Sequence, residues 1–252
     1  MRSLIFCIVC MAFISPTMSQ ELVARIKQIK PAVVAIGVYT PTGRPQNQVF
    51  GSGFVIGDGT YVATNYHVLP EMLDQSINQQ HVVFSGQGKQ VKTFLASVVG
   101  YSKQHDLAIL KLTQGQLPTV KLADQHYIDE GREIAFTGFP IASVLGLYPV
   151  THRGIIASVT PTISPVADSR QINTHMLKQL RNPYLVYQLD ATAYPGNSGS
   201  ALYRIDSGEV VGIINKVFVQ QSKEGVISNP SGITYAIPVK HLHELMKKHQ
   251  IQ

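Results

Sequence analysis

Cysteine is nearly absent from this chain of 252 residues, and both copies, Cys7 and Cys10, fall within the first ten positions. They lie inside an apolar run, Leu4 to Ile14, that follows the single basic residue Arg2. Thr17 and Ser19 then place small side chains at the −3 and −1 positions for cleavage before Gln20. This is the pattern of a secretory signal over residues 1–19, and its Cys-x-x-Cys would leave with it. The mature chain, 20–252, would then have no thiol nucleophile, no cysteine zinc site and no disulfide. Long apolar runs are also missing. A bilayer span takes about 20 apolar residues, so retention as an anchor is the lesser alternative, and no membrane contact is expected after cleavage.

Charge is sparse as well. Only 14% of residues are charged, and the formal net charge of +6, one less without Arg2, is scattered instead of gathered into a basic block. That argues against a nucleic-acid partner. What the chain does have is apolar material, 44% of it, enough for a core and too much for wholesale disorder. Its 20 glycines and 14 prolines favour frequent turns over long helices.

The local pattern predicts a short helix over Glu21 to Lys30, halted at Pro31, and a final helix over Val239 to His249 with Leu242, Leu245 and Met246 on one face. Between them, short β-branched and aromatic stretches separated by turn residues predict strands. These are Ala32 to Tyr39, Val49 to Ile56, Tyr61 to Thr64, His81 to Phe84, Gln90 to Val99 and Leu107 to Leu112. The second half offers Glu133 to Thr137, Val150 to Val159, Leu185 to Leu189, Ser200 to Tyr203, Val210 to Phe218 and Ile233 to Ile237. About twelve short strands without alternating helices imply sandwiches or barrels, not a parallel α/β sheet. Pro161 to Pro183 breaks the rhythm and reads as a loop carrying a short helix, either functional or a surface insertion.

The sharpest chemical signal is Pro195-Gly196-Asn197-Ser198-Gly199-Ser200. Flanking glycines permit a tight turn in which the Gly196 and Ser198 amides converge on one point, as an oxyanion requires. The same string is also an ordinary Gly/Ser turn. A serine nucleophile needs a histidine base and a carboxylate to orient it. Of nine histidines, His81, His126, His152, His175, His241, His243 and His249 fall at turns, strand ends, the insertion or the charged terminal helix. His67 instead follows the strand Tyr61 to Thr64, and Asp106 immediately precedes Leu107 to Leu112. His67, Asp106 and Ser198 occur in that order, which is one known solution to triad geometry.

These strings resemble the trypsin-like, chymotrypsin-fold serine proteases, and among them the HtrA (Deg) branch. The matching segments are Pro31 to Ile36, Gly51 to Ile56, Thr64 to Val68, His105 to Lys111, Gln188 to Ala191, Pro195 to Ser200 and Tyr235 to Pro238. They span essentially the whole mature chain. The resemblance implies an all-β fold of two six-stranded antiparallel β-barrels, approximately 31–125 and 126–238, with a helix at each end. It implies catalysis by His67, Asp106 and Ser198, with the Gly196 and Ser198 amides as oxyanion donors, and it requires no cofactor or metal. It implies a serine endopeptidase that is secreted or periplasmic and cleaves polypeptides through an acyl-enzyme, the alternative being a latent protease-fold scaffold.

The substrate pocket is expected at Asn215, Lys216, Val217, Ile233 and Thr234, whose apolar neighbours favour a small aliphatic residue before the scissile bond. Lys216 offers an acidic alternative. Three departures stand out: Ser200-Ala201 in place of Gly-Pro, as in glutamyl endopeptidases; Tyr194 where HtrA proteins have Asn; and no PDZ domain after the terminal helix. Oligomeric state is not readable from the sequence.

Overall fold

The computed structural model describes residues 18–162, 183–217 and 232–252. Strands β1 (Val33–Tyr39), β2 (Asn47–Ile56), β3 (Tyr61–Thr64), β4 (Gln80–Ser85), β5 (Lys92–Ser102) and β6 (Leu107–Leu112) form the first lobe. Strands β7 (Glu133–Gly138), β8 (Val150–Pro161), β9 (Leu185–Asp190), β10 (Ala201–Arg204), β11 (Val210–Val217) and β12 (Ile233–Pro238) form the second. Each closes on itself as an antiparallel barrel, in the orders β1-β2-β3-β6-β5-β4 and β10-β11-β12-β9-β8-β7. Closure leaves no strand edge unpaired, so these short strands satisfy their own backbone groups.

Several strands read as continuous apolar runs instead of alternating patterns because both of their faces are buried. In β1, Val34 and Ile36 join one core cluster with Val55, Val62, Val83, Ala108 and Leu110. Their neighbours Val33 and Ala35 join the larger cluster with Phe54, Ile56, Leu107 and Ile109. Successive side chains on a strand point to opposite faces, so two buried faces demand apolar residues at every position.

Helix α1 (Met18–Ile29) begins two residues before the expected cleavage point and ends in a 3₁₀ turn containing Pro31. A four-residue helical turn, α2 (Ala142–Leu145), falls between β7 and β8, where no helix is expected. Helix α3 (Val239–Lys248) buries Val239, Leu242, Leu245 and Met246, and also His241, which its charged sequence context places among the ordinary surface histidines. No helix of the described residues is long and apolar enough to cross a membrane. The expected short helix within 161–183 falls almost wholly outside the described residues.

The linker between lobes is pinned to both. Val120 N donates to Val55 O at 3.1 Å, while Ala123 N and Val210 O (2.8 Å) and Val210 N and Lys121 O (2.8 Å) tie it to β11. The end of β3 in the first barrel meets the loop between β9 and β10 of the second, where a Cβ on Gly199 would lie 2.5 Å from Thr64 Oγ1.

Candidate active site

Asp106 occupies the turn between β5 and β6 with φ +51°, a left-handed conformation that Asp tolerates better than most non-glycine residues. Its surroundings hold it there. Its carbonyl accepts from Tyr66 N (3.1 Å) and Asn65 Nδ2 (3.0 Å), and its Oδ1 accepts from His67 N at 2.9 Å. Its Oδ2 lies 2.6 Å from His67 Nδ1. His67 sits in the 3₁₀ turn Tyr66–Val68, just beyond the end of β3. An ionised carboxylate only accepts, so His67 Nδ1 carries the hydrogen and Nε2 of the neutral ring is left with its lone pair. The carboxylate side chain is 17% exposed and the imidazole 43% exposed, so one end of the pair is shielded and the other open to a reactant.

Across the seam, the segment Tyr194 to Ser200 turns tightly through Asn197 N to Tyr194 O and Ser200 N to Asn197 O, both 3.0 Å. Gly196 has φ +97° and Gly199 φ +86°, and glycine is required at both for a second reason. A Cβ on Gly196 would lie 2.5 Å from Phe139 O, and one on Gly199 would lie 2.0 Å from Ser52 O. Among the described residues, the amides of Gly196 and Ser198 donate to no acceptor, while the Ser198 hydroxyl donates to Asn215 O at 2.9 Å. That carbonyl lies on β11, the strand expected to wall the pocket.

A trypsin-like peptidase domain matches residues 51–213. The chain belongs to the trypsin-like peptidase family. Its relatives are HtrA-type proteins. It is 30% identical over 195 residues to a probable periplasmic serine endoprotease, DegP-like, of Halomonas elongata, covering 77% of this chain and 34% of that protein. It is 32% identical over 202 residues to the serine protease Do-like HtrA of Lactococcus lactis subsp. lactis, covering 79% and 44%. The fold superimposes on the serine endoprotease from Yersinia pestis with a TM-score of 0.63 at 25% identity, over 94% of this chain and 67% of that one. The chain thus spans roughly a third to under half the length of these curated relatives.

Within the trypsin-like frame, the expected pocket residues divide. Asn215 is buried, with its Oδ1 unpartnered among the described residues. Thr234 is fully buried and its hydroxyl donates to Ala191 O at 2.7 Å, so its side chain ties β12 to the chain after β9 instead of being open to a substrate. Lys216 pairs with Tyr235 and Val217 with Thr234 in the β11–β12 ladder, but the side chains of Lys216 and Val217 lie outside the described part. Ile233 is half-buried opposite Asp190 of β9. Ser200 is fully buried: a Cβ on Gly138 would come within 1.9 Å of its Oγ, so its hydroxyl faces the interior behind the loop.

One residue was not singled out by sequence reasoning. Ser52, in β2 of the first lobe, donates through Oγ to Gly196 O at 2.7 Å and accepts from Phe139 N at 2.8 Å. Its backbone N donates to Ser198 O at 2.8 Å, and its carbonyl accepts from Thr64 Oγ1 at 2.7 Å. The Gly51-Ser52-Gly53 string was the available signal, because flanking glycines mark a close backbone approach.

Proposed function

We propose that the chain is a serine endopeptidase acting on polypeptides in the periplasm or outside the cell, with His67, Asp106 and Ser198 as its triad. The observation that carries this reading is the two-point grip of Asp106 on His67, which engages Nδ1 and leaves the Nε2 lone pair to act as a base. In the reaction, Ser198 Oγ swings from the Asn215 carbonyl towards His67 Nε2, gives up its proton and attacks the scissile carbonyl carbon. The oxyanion that forms is received by the free amides of Gly196 and Ser198. His67 then passes the proton to the leaving amine, Asp106 stabilising the imidazolium throughout, and water repeats the sequence to release the acyl group.

The family and the relatives' names support this reading, and the basic n-region, apolar run and small-residue cleavage site support export. Labelling the mature chain with a fluorophosphonate tests it. Covalent modification that disappears in Ser198→Ala and in His67→Ala is expected. A wild-type protein that stays unlabelled and leaves unfolded casein intact would instead be a latent scaffold.

A further inference from the structure

A second group of donor atoms lies directly beside the His67–Asp106 pair. His105 precedes Asp106 in the turn between β5 and β6 of the first lobe, while His241 and Glu244 lie one helical turn apart on α3, which follows the second lobe. The two imidazole rings stack with centroids 4.0 Å apart and an interplanar angle of 21°. Tyr184 meets both edge-on, 4.8 Å from His105 and 5.3 Å from His241. One donor atom from each of His105, His241 and Glu244 lies within 4.8 Å of the other two.

His241 is the unusual member. It is only 6% exposed, and its Nδ1 lies 3.2 Å from Glu244 Oε2. That spacing matches two donors on one tetrahedral zinc ion, so an ion can take the place of the hydrogen between Nδ1 and the carboxylate. The His241 Nε2, on the side of the ring away from Glu244, is buried and has no hydrogen-bond partner among the described residues.

We propose that His105, His241 and Glu244 form a binding site for one divalent transition-metal ion of the zinc class, with solvent completing its shell. Two imidazoles and one carboxylate suit zinc and its neighbours, whereas calcium and magnesium prefer all-oxygen sets. Tetrahedral zinc holds nitrogen and oxygen donors at about 2.0–2.2 Å, which places them roughly 3.3 Å from one another. The cluster therefore contracts by at most about 1.5 Å on binding, and the rings tilt apart so that both lone pairs meet one ion. Glu244, with its side chain 51% exposed, is free to follow. An ion here clamps α3 to the turn that carries Asp106.

The test uses the mature chain carrying Ser198→Ala, which cannot digest itself, titrated with Zn²⁺ in a calorimeter and with Co²⁺ in a visible spectrophotometer. Saturable binding, the intense absorption of four-coordinate Co²⁺ and a raised Tm in Zn²⁺ are expected. His105→Asn and Glu244→Gln, both at sites exposed enough to keep the fold, should each weaken this binding by at least about tenfold. His67→Ala should leave it unchanged. Absence of saturable binding, equal affinity in both ligand variants, or loss of binding in His67→Ala, which would place the ion on the triad itself, overturns the proposal.

Discussion

Ser52 and Ser198 stand in different barrels, yet the backbone N of the first donates to the carbonyl of the second at 2.8 Å. The Ser52 hydroxyl adds a second tie to the same loop by bridging Gly196 O and Phe139 N. One fully buried residue thus joins the close approach of β2, the turn at Gly196 and the position of Ser198. Removing the hydroxyl leaves the part-buried Gly196 carbonyl and the buried Phe139 amide without this partner, the buried amide alone costing about 1–3 kcal/mol. Ser52→Ala should therefore lower stability by about 2 kcal/mol or more. It should also lower kcat, by up to about 10²-fold with KM little changed, because the oxyanion donors drift. Urea denaturation and steady-state kinetics check both, and a variant with normal kcat would remove Ser52 from any positioning role.

Asp106→Asn should preserve substrate binding and lower turnover by about 10⁴, the effect of the same substitution in a chymotrypsin-fold protease. The amide can still accept from His67 N through its oxygen, but its NH₂ then faces Nδ1 and selects the wrong imidazole tautomer. Kinetics at saturating peptide decide this; a loss of less than about tenfold would mean that Asp106 serves the turn and not the tautomer.

Stability should fall on the acid side through two histidines outside the site. Burial lowers both His81 and His152 below the ordinary imidazole value of 6.5. The unfolded chain then binds more protons than the native one as pH falls through 6.5, so the stability contributed by the neutral rings is complete above that pH and lost below it. Burial also raises the Tyr187 phenol to about 12, so a corresponding loss is expected as pH rises above 10. Urea midpoints measured from pH 4 to pH 11 should trace a plateau with both shoulders. His152→Phe, which keeps a ring stacked on Phe136, should soften the acid one.

Specificity is the prediction that depends most on β11. Val211, Ile213 and Ile214 are buried on the strand expected to wall the pocket, and an apolar pocket should select Val, Ala or Leu before the scissile bond. Ser200, the feature that resembles glutamyl endopeptidases, is buried and faces Gly138, which weakens the case for an acidic preference. A peptide-library profile of wild type beside Lys216→Ala should show the same aliphatic preference in both. A Glu or Asp preference that vanishes in the variant would reverse that ordering.

Local sequence was sufficient for the strands, because their identity is set by short-range rules. β-branched runs bounded by Gly, Pro and Asp can do little else at four to twelve residues, and all twelve appear close to their expected limits. The order His67, Asp106, Ser198 was legible for a different reason: each stands within three residues of a strand, in the turn where the chain leaves or enters a rigid element. Strand register was not legible in the same way, since β1 is apolar on both faces and carries no alternation to say which side meets which core. Nor was the burial of His241, because a charged helical context describes only the helix, whereas burial depends on what packs across it. His105 and His241 are far apart in the chain and are stacked only because both barrels close and α3 returns to the β5–β6 turn. Ser52 is tied to the nucleophile loop for the same reason: hydrogen bonds between residues more than 140 positions apart are decided by how two closed barrels meet, and no local pattern encodes that meeting.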